Sequence, residues 1–172
     1  MIILGIDPGL ATTGFGVIDA KPEIIGKDTT RNLKKRKSIK CLGYGLIKTN
    51  KSLIIGERLK IIHDNLNRLI KEYRPEVMAV ESVYFFKNLK TAMPVSQSKG
   101  VILLAAARKK IPVFEFTPLQ VKMSVTGYGR AEKKQIQKLL KILLNLKELP
   151  SPDDAADALG LALCCAMKLK KT

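Results

Sequence analysis

Histidine occurs once and cysteine three times in this 172-residue chain. No Cys-x-x-Cys spacing is present, and the lone His63 falls within an amphipathic stretch. A zinc site built on histidine or paired cysteines is therefore excluded, and so is a disulfide framework. Cys41, Cys164 and Cys165 fit a reducing compartment, so a cytoplasmic location is expected. Long apolar runs are missing too: none reaches the ~18 residues that cross a bilayer. The N-terminal Met-Ile-Ile-Leu-Gly-Ile has no basic residues before it and breaks at Asp7-Pro8, which argues against a signal peptide. Acids are scarce, 15 against 31 Lys plus Arg, for a net charge of +16. So large an excess makes a polyanion the expected partner, with nucleic acid ahead of an acidic membrane surface. At 46% hydrophobic and 27% charged residues, the chain has the material for a folded core.

What is present is organised as alternating elements. Residues 2–6 read as a buried strand, and 14–19 and 42–48 as two more, close enough to form an antiparallel meander. Residues 21–40 carry eight Lys or Arg against two acids, among them Lys34, Lys35, Arg36 and Lys37. This stretch is expected to be a long basic hairpin loop. Ile55, Leu59, Ile62, Leu66 and Leu69 recur at alternating steps of four and three, the signature of a helix over 53–73. Val77 to Val80 form a short buried strand. A helix over 90–109 follows, with Pro94 tolerable only in its first turn. Residues 111–116 are the fifth strand. Thr117-Pro118 is an N-cap followed by proline at the first helical position, opening a helix over 118–126. Helices over 131–146 and 152–168 complete an order of β-β-β-α-β-α-β-α-α-α. That order predicts one α/β domain over 1–172, with a five-stranded mixed sheet, meander plus parallel strands, flanked by helices.

Two acids stand where buried strands end. Asp7 closes the first strand, and Glu81 closes the fourth. Asp-Pro-Gly is good turn chemistry, so Asp7 alone carries little. Gly9 and Thr13-Gly14 would also let a backbone or a phosphate approach closely. A third group is Asp153, Asp154 and Asp157. Ser151 suits an N-cap, Pro152 the first helical position and Asp154 the capping box. Helix-end electrostatics account for Asp153 and Asp154, but not for Asp157 in the second turn. The ten residues from Ala158 to Met167 carry no charge, so that helix is mostly buried. Asp157 shares a face with Asp154 at i, i+3 and can share one with Asp153 at i, i+4, so the register stays open. Acids gathered this closely repel unless protonated or paired with cations; lysines could neutralise them, but oxygen-only ligands better suit a pair of Mg²⁺ ions, or Mn²⁺, acting on a phosphodiester.

The segments Ile-Leu-Gly-Ile-Asp-Pro-Gly with Thr13-Gly14, Val-Met-Ala-Val-Glu and Asp-Asp-Ala-Ala-Asp-Ala-Leu resemble the bacterial Holliday-junction resolvases of the RuvC type, within the ribonuclease H-like superfamily. The likeness continues through Lys87-Asn88, Ile-Pro-Val-Phe-Glu-Phe, Gln120-Val121-Lys122 and Ala131-Glu132-Lys133-Lys134-Gln135. It spans nearly the whole chain except the insertion at about 21–40. It implies a ribonuclease H-like fold and a metal-dependent endonuclease that cuts four-way DNA junctions in paired fashion. It implies catalytic and metal-binding roles for Asp7, Glu81, Asp154 and Asp157, choosing Asp154 over Asp153, with two Mg²⁺ per site. Lys122 and Lys133 match the family's lysines beside the scissile phosphate, and Lys134 adjoins them. The family's base-stacking aromatic matches Tyr84, with Phe85 and Phe86 as alternatives and Lys87 next to them. A homodimer is implied, with the helix over 90–109 supplying much of its interface. A branch-migration motor is left open as a further partner. The basic insertion departs from the pattern, which leaves open how the DNA arms are held.

Physical readings stand beside these. Aromatic clusters usually belong to the core, and stacking on unpaired bases is the functional alternative for Tyr84, Phe85 and Phe86. Most lysines are solvated; in a cleft, Lys122, Lys133 and Lys134 would contact phosphates. Three rivals are weaker. An actin-like phosphotransferase needs a second phosphate loop and domain. A non-catalytic branched-DNA binder would be favoured by loss of one acid, and all four are present. Another nuclease of the superfamily would act on RNA–DNA hybrids or transposon ends, whereas the Ala-Ala spacing and the Tyr84 loop favour junctions.

Overall fold

The computed structural model describes residues 1–20, 39–82 and 89–169. Five strands form one sheet in the order β3-β2-β1-β4-β5. β1 (Ile2–Asp7), β2 (Thr12–Ala20) and β3 (Ile39–Lys48) make the expected antiparallel meander. β4 (Val77–Glu81) joins β1 in parallel, and β5 (Val113–Phe116) joins β4 in parallel. The helices are α1 (Ile55–Tyr73), α2 (Leu89–Arg108), α3 (Pro118–Thr126), α4 (Lys133–Leu143) and α5 (Asp153–Lys168).

Strand alternation sorts side chains to two faces. Leu4, Ile6, Val17, Met78 and Val80 pack with Ile62, Leu66 and Ile70 of α1 and Ile102, Ala105 and Ala106 of α2. Ile3, Ile18, Val77, Ala79 and Phe116 pack with Leu140 and Leu143 of α4 and the apolar body of α5. Helix α5 is buried along almost its whole length, as its uncharged run predicts. It lies directly on β1 and β2 because glycine removes the intervening side chains. A Cβ on Gly14 would strike the backbone of Asp154, and one on Gly16 would stand 2.7 Å from the Leu159 nitrogen. The room expected near Thr13-Gly14 is thus filled by the protein's own helix.

Four local expectations are corrected. Ile39 and Lys40 belong to β3, paired with Ala20 and Asp19, so the basic insertion ends before them. Pro94 lies in the second turn of α2, beyond the first-turn limit; its missing N–H removes one bond from a 20-residue helix. The Ser98 hydroxyl donates to the Pro94 carbonyl at 3.0 Å. β5 starts two residues late because the Ile111 N–H is taken by the Ala106 carbonyl at 3.0 Å, wrapping the end of α2. Helix α5 is capped by Pro152 without a side-chain bond, so neither the Ser151 cap nor the Asp154 capping box forms. Thr117 does cap α3, in a reciprocal box with Gln120 and with Pro118 at the first turn.

Candidate active site

The period of two that sends Ile3 and Gly5 toward α5 sends Asp7 the same way. The same argument carries Val77, Ala79 and then Glu81 to that face. The register pairs Ile6 with Val80 in parallel, so both acids emerge side by side at the carboxyl ends of adjacent central strands. Helix α5 begins over this point, because Gly14, the partner of Asp7 in β2, backs directly onto Asp154. Asp154 and Asp157, one turn apart, complete the cluster.

The electrostatics reflect the crowding. Asp7 is half-buried, and its carboxyl is pushed from 3.8 to about 8. Burial is the main cause, followed by the charges of Glu81, Asp157 and Asp154 and a hydrogen bond to Glu81. The Glu81 carboxyl is also raised, mainly by burial; the bond from Asp7 opposes this, Asp157 adds to it, and Lys133 and Lys99 hold it down. Asp157 is raised by burial, against the pull of Lys133. Burial lowers the Lys133 ammonium, but Asp157, Asp153 and Asp154 together raise it above its ordinary value.

Polar partners fix the rim. The Lys133 Nζ sits 3.3 Å from Asp153 and 3.8 Å from Asp157. Gln137 of α4 donates to Asp153 at 3.0 Å. Asp153 therefore ties α4 to α5 rather than serving as a helix-end charge alone. Thr12 donates to Asp154 Oδ2 at 2.7 Å. Among the described residues, no three His, Cys, Asp or Glu side chains already close round a metal. The donor set nevertheless fits a hard divalent cation: every ligand atom is a carboxylate oxygen, and an acid pushed to about 8 by burial first and by neighbouring acids next marks a site short of positive charge.

The sequence-predicted residues separate into three groups. Asp7, Glu81, Asp154, Asp157 and Lys133 are brought together. Lys122 lies half-buried on α3, which packs on α5, and makes no ion pair among the described residues. Lys134 is exposed on α4 next to Lys133. Tyr84, Phe85, Phe86, Lys87, Lys34, Lys35, Arg36 and Lys37 lie outside the described residues. His63 is half-buried on α1 beside Asp64 and Asn67, as an ordinary structural histidine. Three residues near the site escaped sequence reasoning: Thr12, Gln137 and Lys99. Lys99 is largely buried and pairs with Glu115 at 2.6 Å. Each is a common residue inside a regular element, with no spacing that signals its partner.

Known proteins are similar to this chain in sequence and fold. A family model described as crossover junction endodeoxyribonuclease RuvC matches residues 3–165. A crossover junction endodeoxyribonuclease RuvC of Thermosipho melanesiensis is 45% identical over 170 residues, covering 99% of each chain. One from Brevibacillus brevis is 49% identical over 163 residues, covering 95% of this chain and 90% of the relative. The structure of Thermus thermophilus RuvC in complex with a Holliday junction substrate superposes with a TM-score of 0.87 at 31% identity, covering 99% of this chain and 96% of that one. The yeast mitochondrial Holliday junction resolvase Ydc2, at 12% identity and a TM-score of 0.64, shares the fold. With four acids at the end of a mixed sheet and this breadth of match, the chain belongs to the RuvC family of crossover junction endodeoxyribonucleases.

Proposed function

We propose that this protein resolves four-way DNA junctions by paired, metal-dependent hydrolysis of phosphodiester bonds in recombination and repair. The observation that carries the chemistry is the convergence of four acids at one end of the sheet, where burial and then the neighbouring charges push Asp7 to about 8. Asp7, Glu81, Asp154 and Asp157 would hold Mg²⁺, two ions per site, with Mn²⁺ able to substitute. Such ions supply activation of the attacking water and charge stabilisation at the leaving oxygen.

The chain's own residues do the rest. The carboxylates orient the cations, and burial of Asp7 and Glu81 keeps bulk water from screening them. Lys133, already poised at the acids and 62% exposed, is placed to reach a phosphate entering from solvent. Lys122 and Lys134 are assigned to neighbouring phosphates. Tyr84, Phe85 or Phe86 is assigned to the junction's open bases, and Lys87 with Lys34, Lys35, Arg36 and Lys37 to its arms. The excess of positive charge supports contact with a polyanion along much of the surface.

Matched cuts in opposing strands call for two equivalent sites, which a two-fold homodimer supplies. Met93, Gln97, Gly100 and Leu104 lie along one exposed side of α2, and Met93 and Leu104 are 68% and 55% exposed. That stripe supports α2 as the dimer contact. A cytoplasmic site is consistent with three free thiols.

The deciding experiment compares a four-way junction, a linear duplex and an RNA–DNA hybrid, each with Mg²⁺ and with chelator. Symmetric cutting of the junction alone, and only with the ion, is expected. Equal cutting of linear duplex, or full activity in chelator, refutes the proposal.

A further inference from the structure

The hydrogen bond from Thr12 to Asp154 joins the start of β2 to the first turn of α5 at 2.7 Å. That length is typical of a well-formed O–H···O hydrogen bond. The helix has no side-chain cap, so this bond is what fixes the Asp154 side chain against the sheet. It occupies Oδ2 and leaves Oδ1 for another partner. We propose that Thr12 is a positioning residue for the cation site, its hydroxyl fixing the rotamer of Asp154 so that one carboxylate oxygen faces Asp7 and Asp157. The inference rests on the reading of Asp154 as a cation ligand.

The placement of Thr12 is itself built. The Thr49 N–H donates to the Ala11 carbonyl at 3.0 Å, and the Thr49 hydroxyl donates to the Leu10 carbonyl. Arg58 of α1 donates to the Thr49 hydroxyl at 2.9 Å. On the turn's inner side, the buried Thr13 hydroxyl donates to the Gly9 carbonyl at 2.6 Å. The turn between Asp7 and Thr12 is thereby braced from the α1 side and from within. Asp7 leaves the turn at one end and Thr12 enters β2 at the other, so one braced segment sets two of the four acids, Asp7 directly and Asp154 through Thr12. Asp153, the neighbour of Asp154, is held from the opposite side by Lys133 and Gln137. The first turn of α5 is thus clamped between β2 and α4.

Thr12→Val keeps the shape and the strand preference and removes only the hydroxyl. Thr12→Ser keeps the hydroxyl. Two readouts are taken on each full-length variant: Mn²⁺ bound by the protein without DNA, from the electron paramagnetic resonance of free Mn²⁺, and the Mn²⁺ midpoint for junction nicking. Outer partners of metal ligands typically govern affinity by roughly 10–100-fold. Thr12→Val is expected to raise both midpoints by at least about 10-fold, and Thr12→Ser to return them most of the way. Asp154→Asn serves as the reference. If Asp154→Asn loses binding and nicking while Thr12→Val keeps wild-type midpoints, the positioning role is wrong. It is also wrong if Thr12→Val and Thr12→Ser are equally impaired with equally lowered melting temperatures, since that marks a packing role. If Asp154→Asn itself binds Mn²⁺ and nicks like wild type, the reading of the acid site falls instead.

Discussion

Replacing Asp7 with Asn should stabilise the ion-free protein while abolishing nicking. The native carboxyl is raised from 3.8 to about 8, chiefly by burial and next by the charge of Glu81. Its contribution to stability is fully present below the unfolded value, declines as pH rises from there, and is lost through about pH 8. Each pH unit between those two values carries about 1.4 kcal/mol, which sets a ceiling of ~6 kcal/mol. Asp7 keeps some solvent contact and shares its proton with Glu81, so a gain of roughly 2–3 kcal/mol for Asp7→Asn above pH 8 is the expected size. In a chain of this length that raises the melting temperature by about 5–10 °C. The assay is thermal unfolding in chelator from pH 5 to pH 9, wild type beside Asp7→Asn. The gap should widen with pH and be small at pH 5. Adding Mg²⁺ should raise the wild-type curve and leave the variant nearly where it was, since only a native state that binds the ion is stabilised by it. Parallel pH curves would show that burial and the neighbouring acids do not hold Asp7 protonated. Near wild-type nicking by the folded variant would overturn its role as a ligand.

Other expectations follow from particular contacts. Gly16→Ala puts a methyl 2.7 Å from the Leu159 nitrogen, and a fall in stability of about 3 kcal/mol or more, read by denaturant unfolding, is expected from overpacking against backbone. Asp153→Asn weakens the hold on Lys133 and should slow nicking only a few-fold, roughly, whereas Asp154→Asn should slow it by at least about 100-fold; the reverse ranking in single-turnover assays would place the ligand one residue earlier. Leu104→Asp should convert a dimer to monomers in sedimentation, and an intact dimer would move the interface off α2. Neutralising Lys34, Lys35, Arg36 and Lys37 should flatten the slope of log affinity against log salt by about 0.9 per lost phosphate contact, and an unaltered slope would mean that the insertion does not touch DNA.

The strands and most helices were legible because their signals are local. Val77 to Val80 is an apolar run closed by an acid, and α1 repeats its buried Ile62 and Leu66 at helical spacing. The same local signals placed Asp7 and Glu81 at the ends of two buried strands, and the observed parallel register of β1 and β4 brings them to one face. Boundaries failed where a tertiary contact decided them. Ile111 looked like strand because it is β-branched and apolar, but its N–H is spent on the end of α2. Ser151 looked like a cap because serine usually is one, but α5 starts a residue later and finds its polar partners on β2 and α4. The insertion after Ala20 was recognisable by charge alone, which gives composition and no path.

The ambiguity between Asp153 and Asp154 shows what spacing cannot supply. On an isolated helix, both can share a face with Asp157, at i, i+4 and i, i+3. The choice is made by what each meets. Asp154 sits over Gly14, where β2 brings up the Thr12 hydroxyl, while Asp153 turns toward Lys133 and Gln137 on α4. The same contacts show how a strongly basic protein keeps four acids together before any cation arrives. Asp7 holds a proton and donates it to Glu81, Lys133 leans on Asp157, and Asp154 takes a neutral hydroxyl. These compensations differ in what a divalent ion must displace. If Asp7 is a ligand, its proton would have to leave, so ion binding should release it and strengthen as pH rises toward 8. At Asp157 an ion would compete with Lys133, whose ammonium would then be free to meet a phosphate. The Thr12 bond occupies one oxygen of Asp154, Oδ2, and leaves Oδ1 for an ion. If these acids hold the ion, loading of the site would couple proton release at Asp7 to release of Lys133, and both would leave the cleft better prepared for a phosphate.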